Sequence, residues 1–334
     1  MFKKIWLKIK NIFAAKLPAT SKQQRIFINK QLNHYESNYQ FFETSDAKIA
    51  YFVREDEKKE PKKNVLFLHG MTEDSLNWFY AVEYLYIKSS HYRSFALDLP
   101  GFGQTQFENE SVINLHRYVE IIKEFLDYHN IDKINLVGHS LGGQTAGLFA
   151  YHYPDRVEKL ILVDTAGLRR FNVLASAFFK AMPVPGNMLK QISYLDWVKL
   201  LSNTTMVEDE AVFRKSFYDV AIKRKNNITE YIITRNYQKL LQDGLKRVSA
   251  IKKSMSAMLE PTTYIDDKLP KLSIPICFLW GEEDKLVPLK YGIQGYDSIH
   301  SMNKKIFVFK KTGHYPLLER PRDFAEVVFN FLEQ

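Results

Sequence analysis

Asn135-Leu136-Val137-Gly138-His139-Ser140-Leu141-Gly142-Gly143 is the stretch whose reading decides the fold. An apolar run ends in Gly-x-Ser-x-Gly, and a helix-compatible sequence follows at once. A serine in that setting sits on a tight strand-to-helix turn. Gly138 and Gly142 have no side chain to keep strand and helix apart, and the turn pushes the Ser140 hydroxyl out of the sheet. Five residues are too few to stand by themselves. The rest of the chain has to supply a base, a group that orients it, and a sheet to hold them.

Outward from this stretch the same rhythm recurs. Short apolar runs at Val65 to Leu68, Ser94 to Leu97, Ile134 to Val137 and Leu160 to Val163 alternate with helical patterns at Trp78 to Lys88, Val112 to Tyr128 and Gly142 to His152. Continuous β-branched runs between helices predict a parallel sheet covered on both faces. Ahead of them, Tyr39 to Glu43 and Lys48 to Arg54 read as an antiparallel pair across a Ser45-Asp46 turn. The rhythm lapses from about Leu168 to Tyr264, where helical patterns rich in Phe, Met, Tyr and Lys replace it. Strands resume at Ile276 to Trp280 and Ile306 to Phe309, and Pro321 to Leu332 closes the chain as a helix. The expected organisation is therefore a basic segment over 1–30, a core over 36–167 and 265–334, and a helical cap inserted at 168–264.

Composition narrows the function classes. The chain has 334 residues, 46% of them hydrophobic, enough for a large core. No run of 18 apolar residues occurs, so a conventional spanning helix is not expected. The lone cysteine, Cys277, lies in an apolar run, excluding an intrachain disulfide framework and a cysteine-cluster zinc site. The net charge of +9 is concentrated at one end. Residues 1–30 contain eight lysines and arginines and no acidic residue, and the remainder is close to neutral. A near-neutral body argues against a nucleic-acid-binding surface.

Within that basic end, Phe2, Ile5, Trp6, Ile9, Ile12 and Phe13 share one helical face, and Lys3, Lys4, Lys8 and Lys10 lie on the other. Lysines interrupt the segment before a continuous apolar region can form, so it does not read as a secretory signal. Two uses fit: lying in the interface of an anionic membrane through Phe2, Ile5, Trp6, Ile9 and Phe13, or packing on the body or a partner. The absence of any acidic residue favours the membrane.

A serine hydroxyl is barely acidic and needs a base within hydrogen-bond reach. In an open parallel sheet such groups gather at the carboxyl ends of strands. There the sequence places His69-Gly70-Met71, Gly281-Glu282-Glu283-Asp284 and Lys310-Lys311-Thr312-Gly313-His314. With Asp98-Leu99-Pro100-Gly101-Phe102-Gly103, Val287-Pro288 and Glu319-Arg320-Pro321, these motifs resemble, in order, the serine members of the α/β-hydrolase superfamily, in particular its serine esterase and monoacylglycerol-lipase-like branch. The resemblance covers about residues 36–334. It implies a mostly parallel eight-stranded sheet with helices on both faces and a helical cap. It implies Ser140 as nucleophile, His314 as general base and then acid, Asp284 as the group orienting His314, and the backbone N–H groups of Met71 and Leu141 as the oxyanion hole. Asp164 is the alternative acid, because the superfamily sometimes draws its acid from after an earlier strand. His69 and His139 are read as structural. No dinucleotide or phosphate-loop fingerprint and no clustered metal ligands occur, so no cofactor is expected. Ester hydrolysis of lipid-like substrates is the expected reaction. C–C bond hydrolases, lactonases and prolyl aminopeptidases share much of the equipment, and a binding protein that keeps the pocket without turnover is a further alternative. An apolar stretch in the insertion, from Phe171 to Met188, either lines an acyl-chain pocket or forms the cap's own core.

Overall fold

A computed structural model describes residues 32–58, 63–170, 210–211, 213–214 and 220–334. The basic amphipathic segment and the Phe171 to Met188 stretch both lie outside the described residues.

The continuous apolar runs become the middle of one sheet. In chain order its strands are β1 (Gln40–Glu43), β2 (Ala47–Arg54), β3 (Lys63–Leu68), β4 (Tyr92–Leu97), β5 (Gln106–Phe107), β6 (Ile134–His139), β7 (Val157–Val163), β8 (Ile276–Gly281) and β9 (Lys304–Phe309). Their spatial order is β1-β2-β4-β3-β6-β7-β8-β9. From β4 to β9 every neighbour is parallel, while β1 and β2 form the antiparallel pair. All eight expected strands are present. The sheet nevertheless has nine: β5 pairs antiparallel with the start of β2, through Ala47 opposite Phe107 and Lys48 opposite Gln106. Two residues are too short to carry a period, which is why no pattern announced this strand.

Burial follows the strand chemistry. Every residue of β6 and β8 is buried, as expected for central parallel strands with helices on both faces. Among the described helices are α1 (Phe79–Lys88), α2 (Leu115–Tyr128), α3 (Leu141–His152), α4 (Asn227–Asp243), α5 (Leu245–Met258), α6 (Leu289–Ser298), α7 (Pro316–Glu319) and α8 (Pro321–Leu332). In α2 the Asn114 side chain caps the start by accepting from His116 N–H, and Leu115, Tyr118, Val119, Ile122, Phe125 and Leu126 face the core. The edge strand β9 is more open, with Phe307 and Val308 about two-fifths exposed.

Adjacent parallel strands β7 and β8 are joined by the long connection that contains α4 and α5. Asn226 starts α4 with a reciprocal cap, its side chain accepting from Ile228 and Thr229 N–H. Helix α4 is held on the core by charge. Its Arg235 pairs with Asp74 and, at 3.1 Å, with Glu36; its Lys239 lies 3.2 Å from Asp74. Helix α5 packs on the loop after β4, where Ala250 sits against Gly101.

Candidate active site

Ser140 occupies the residue between β6 and α3, with φ 51° and ψ −113°. A non-glycine residue there is strained, and the strain is held by its surroundings. Its N–H donates to the Val163 carbonyl at 3.0 Å, and its carbonyl accepts from Gln144 and Ala166 N–H. The flanking glycines are required by contact. A Cβ on Gly138 would fall 2.3 Å from the Gly142 carbonyl oxygen, and one on Gly142 would fall 2.3 Å from the Leu68 carbonyl oxygen. Removing those two side chains lets the start of α3 touch the end of β3.

That contact brings together the two segments carrying Met71 and Leu141. Leu141 opens α3, where the first N–H groups lack intrahelical partners. Among the described residues neither the Met71 nor the Leu141 N–H donates to a protein acceptor. Buried N–H groups rarely stay unpaired, so this pair is suited to an oxygen that is not part of the chain.

On the loop after β9, His314 is 2% exposed and its Nδ1 lies 2.7 Å from Asp284 Oδ2, on the loop after β8. Asp284 also accepts from Leu286 N–H at 2.8 Å and Val287 N–H at 3.0 Å. Three donors thus converge on the Asp284 carboxylate. It fixes Nδ1 as the protonated ring nitrogen, which leaves Nε2 with a lone pair able to take a proton. The His314 carbonyl accepts from His139 Nε2 at 2.8 Å, so the His314 loop is tied to the residue next to Ser140.

A sequence profile described as the alpha/beta hydrolase fold matches residues 63–204. The chain is 23% identical, over 87% of its length and 95% of the relative's, to a 2-hydroxy-6-oxononadienedioate/2-hydroxy-6-oxononatrienedioate hydrolase of Pseudomonas putida. Among solved structures it resembles a membrane phospholipase A, with TM-score 0.71 at 20% identity over 99% of this chain and 96% of the other. It also resembles the 2-hydroxy-6-oxo-6-phenylhexa-2,4-dienoate hydrolase of Rhodococcus sp. strain RHA1, with TM-score 0.70 at 19% identity over 89% and 99%. The chain has the α/β-hydrolase fold.

The alternative acid is close to the expected one. Asp164 (φ 40°), just after β7, clusters with Asp284 and His314, one ligand atom of each lying within 4.8 Å of the others. Its Oδ1 accepts from Gly281 N–H at 2.9 Å, while its Oδ2 has no hydrogen-bond partner. Asp284 meets three donors where Asp164 meets one. Burial, then the charge of Asp284, pushes Asp164 well above the usual carboxylate range. The cluster therefore reads as a neutral acid beside a carboxylate and an imidazole, with its donors already committed, and not as a cation site.

Further polar groups brace the site. Glu319 Oε1 accepts from Gly313 N–H at 2.9 Å and its Oε2 from Lys223 and Arg224 N–H at 2.9 and 2.7 Å. It thus joins the His314 loop to the inserted connection, whose Ala221 carbonyl also accepts from His314 N–H at 2.7 Å. The motif Glu319-Arg320-Pro321 was visible in the sequence, but its partners are remote in the chain. His69 has the structural role expected of it: its Nε2 accepts from Leu99 N–H at 2.9 Å while Nδ1 faces the Gly70 carbonyl at 2.7 Å. Asp98 braces the same loops, accepting from Ser75 and Gln104 N–H at 2.7 Å each.

Proposed function

We propose that this hydrolase cleaves carboxylic esters with apolar acyl chains, monoacylglycerol-like lipids among them, through an acyl-enzyme on Ser140. The observation that carries the ester reading is the chamber next to the serine turn. Met255, Met258 and Leu259 of the insertion line it with Leu286, Val287 and Tyr291 of the core. Its lining includes Ala166, whose N–H donates to the Ser140 carbonyl at 3.1 Å. Such a lining suits a hydrocarbon chain.

Ser140 Oγ attacks the ester carbonyl while His314 Nε2 takes its proton, and the oxyanion accepts from the Met71 and Leu141 N–H groups. The alcohol leaves with the proton from His314. A water then gives a proton to His314, attacks the acyl-serine and releases the acid. Asp284 keeps the imidazole oriented and stabilises its charged form.

A second reading is hydrolysis of a C–C bond, favoured by the names of the sequence relatives. A dienedioate carries two carboxylates, which a site must match with cations or N–H donors. The basic residue in the chamber's lining, Arg169, is solvent-exposed. The remaining lining offers little to a dianion. The test is a panel of p-nitrophenyl esters from acetate to palmitate, a monoacylglycerol and a 2-hydroxy-6-oxo-dienedioate. Preference for chains longer than acetate is expected, and turnover of the dienedioate alone would overturn the ester reading. Labelling by a fluorophosphonate, lost in Ser140→Ala, separates an enzyme from a binding protein of the same fold.

The basic amphipathic segment supports contact with an anionic membrane through Phe2, Ile5, Trp6, Ile9 and Phe13, which fits a substrate that partitions into lipid. No helix among the described residues is long and apolar enough to cross a membrane. Binding to anionic liposomes is expected to be lost when residues 1–17 are deleted; equal binding by the shortened chain would refute it.

A further inference from the structure

We propose that His139 is a permanent buried imidazolium which, paired with Glu73, positions His314 relative to the Ser140 turn. The proposal rests on the reading of Ser140 and His314 as nucleophile and base, and assigns the pair a positioning role for that chemistry.

The argument is one of donors and acceptors. His139 and Glu73 are both fully buried. His139 Nε2 lies 2.8 Å from the His314 backbone oxygen. A carbonyl oxygen only accepts, so Nε2 carries a hydrogen. His139 Nδ1 lies 2.8 Å from Glu73 Oε1, in ion-pair contact though off the direct hydrogen-bond line. Both ring nitrogens thus face oxygens. Glu73 Oε2 accepts from Asn77 Nδ2 at 2.9 Å, as an ionised carboxylate does. A neutral His139 would aim a lone pair at that carboxylate. One proton lies between Nδ1 and Oε1, and placing it on Nδ1 makes the 2.8 Å contact an ion pair and leaves Glu73 a carboxylate.

The surroundings keep the pair charged. Glu73 sits on the turn after Met71. The rings of His314 and Tyr315, on the loop after β9, lie tilted against the His139 ring with centroids 4.7 and 4.9 Å away. Asp284 adds a negative charge from the loop after β8, Tyr315 reaches Glu73 from the loop after β9, and His69, just after β3, stands on the Glu73 side. Burial opposes both charges, yet the Glu73 carboxylate raises the His139 pKa above its ordinary value, and the His139 charge lowers that of Glu73. Pairing and hydrogen bonding are what make such a charge tolerable in the interior.

His139 is bonded to Ser140 through the chain, and its ring holds the carbonyl of His314. The pair is therefore a strut between the nucleophile's turn and the base's loop, anchored on the turn that carries the Met71 N–H. A displacement of about 1 Å between reacting groups can cost about 100-fold in rate.

The test begins with the unaltered chain, labelled with 15N at histidine. Ring proton and nitrogen resonances are expected to show His139 doubly protonated at pH 8; a singly protonated His139 at that pH overturns the proposal. In Glu73→Gln the unpaired ring is expected to titrate below neutral pH. With it, kcat for the preferred ester falls by about 10- to 100-fold while KM changes less than about 3-fold. An unchanged kcat overturns the positioning role. Because the resonances are read on the unaltered chain, a variant that fails to fold leaves the first arm decisive. If fluorophosphonate leaves Ser140 unlabelled in folded protein, the nucleophile reading fails, and the His139 resonances still report on the pair by themselves.

Discussion

Removing the charge of Asp74 should loosen the inserted helices from the core by an amount that distinguishes a buried ion network from a surface one. Asp74 is fully buried, on the turn between Met71 and the short helix Ser75–Trp78, whose start it caps by accepting from Leu76 N–H at 3.1 Å. Its Oδ2 meets Arg235 Nη1 and, at 3.2 Å, Lys239 Nζ. The side chains of Arg235 and Lys239 are only 7% and 10% exposed, whereas Glu36, which also contacts both, is 36% exposed. In Asp74→Asn two nearly buried cations keep one solvent-screened partner. Breaking one side of a buried pair typically costs about 3–5 kcal/mol. Glu36 compensates in part, so the lower end, about 3 kcal/mol, is expected in equilibrium urea unfolding at pH 7, with the slope unchanged.

The pH dependence follows from the same contacts. Although burial alone would raise it, Arg235 and Lys239 hold the folded Asp74 pKa far below its usual value. Its contribution is present above the unfolded value of about 3.9 and is lost as pH falls below that, by about 1.4 kcal/mol per pH unit. The gap between the wild type and Asp74→Asn should therefore be level from pH 5 to 7 and narrow below pH 4. A cost under about 1 kcal/mol at pH 7, the range of exposed pairs, would refute a desolvated network.

Asp284→Asn should lower kcat by roughly 10,000-fold on the preferred ester, by analogy with the loss of the orienting carboxylate in other serine hydrolases, and a loss below about 10-fold would move the acid role elsewhere. For Asp164→Asn the expected effect on kcat is small, under about 3-fold, since a neutral amide replaces a neutral acid; a larger loss shows that its charge or proton is used. Because the folded pKa of Asp164 is raised, the wild type loses stability as pH climbs above the unfolded value, so the variant's relative stability should grow from pH 4 to pH 8 in thermal unfolding. Gly142→Ala puts a methyl 2.3 Å from the Leu68 oxygen and 2.5 Å from the His69 oxygen, both backbone atoms. Forced overpacking of this kind costs about 3 kcal/mol, seen as a lowered urea midpoint, and it should also reduce fluorophosphonate labelling.

Much of this was legible locally. Parallel strands buried on both faces read as continuous apolar runs, so β3, β4, β6, β7 and β8 were visible, and the glycines around Ser140 announced a close strand-to-helix contact. His314 and Asp284 could be found because each follows a strand. The two-residue β5 and the short α7 were not legible, because neither is long enough to express a period.

By itself the sequence determined the α/β class, the serine turn and a short list of groups at the strand ends, because period and burial are written into neighbouring residues. Only the tertiary structure shows that His314 Nδ1 meets Asp284, with Asp164 beside the pair. Both follow parallel strands, and what separates them is the number of N–H donors that each meets. It also reveals the surroundings of His139, whose partners Glu73 and His314 lie 66 and 175 residues away in the chain and converge only when β3, β6 and β9 lie in one sheet. Hydrogen bonding in a buried site depends on which remote loops meet, and no local pattern encodes that.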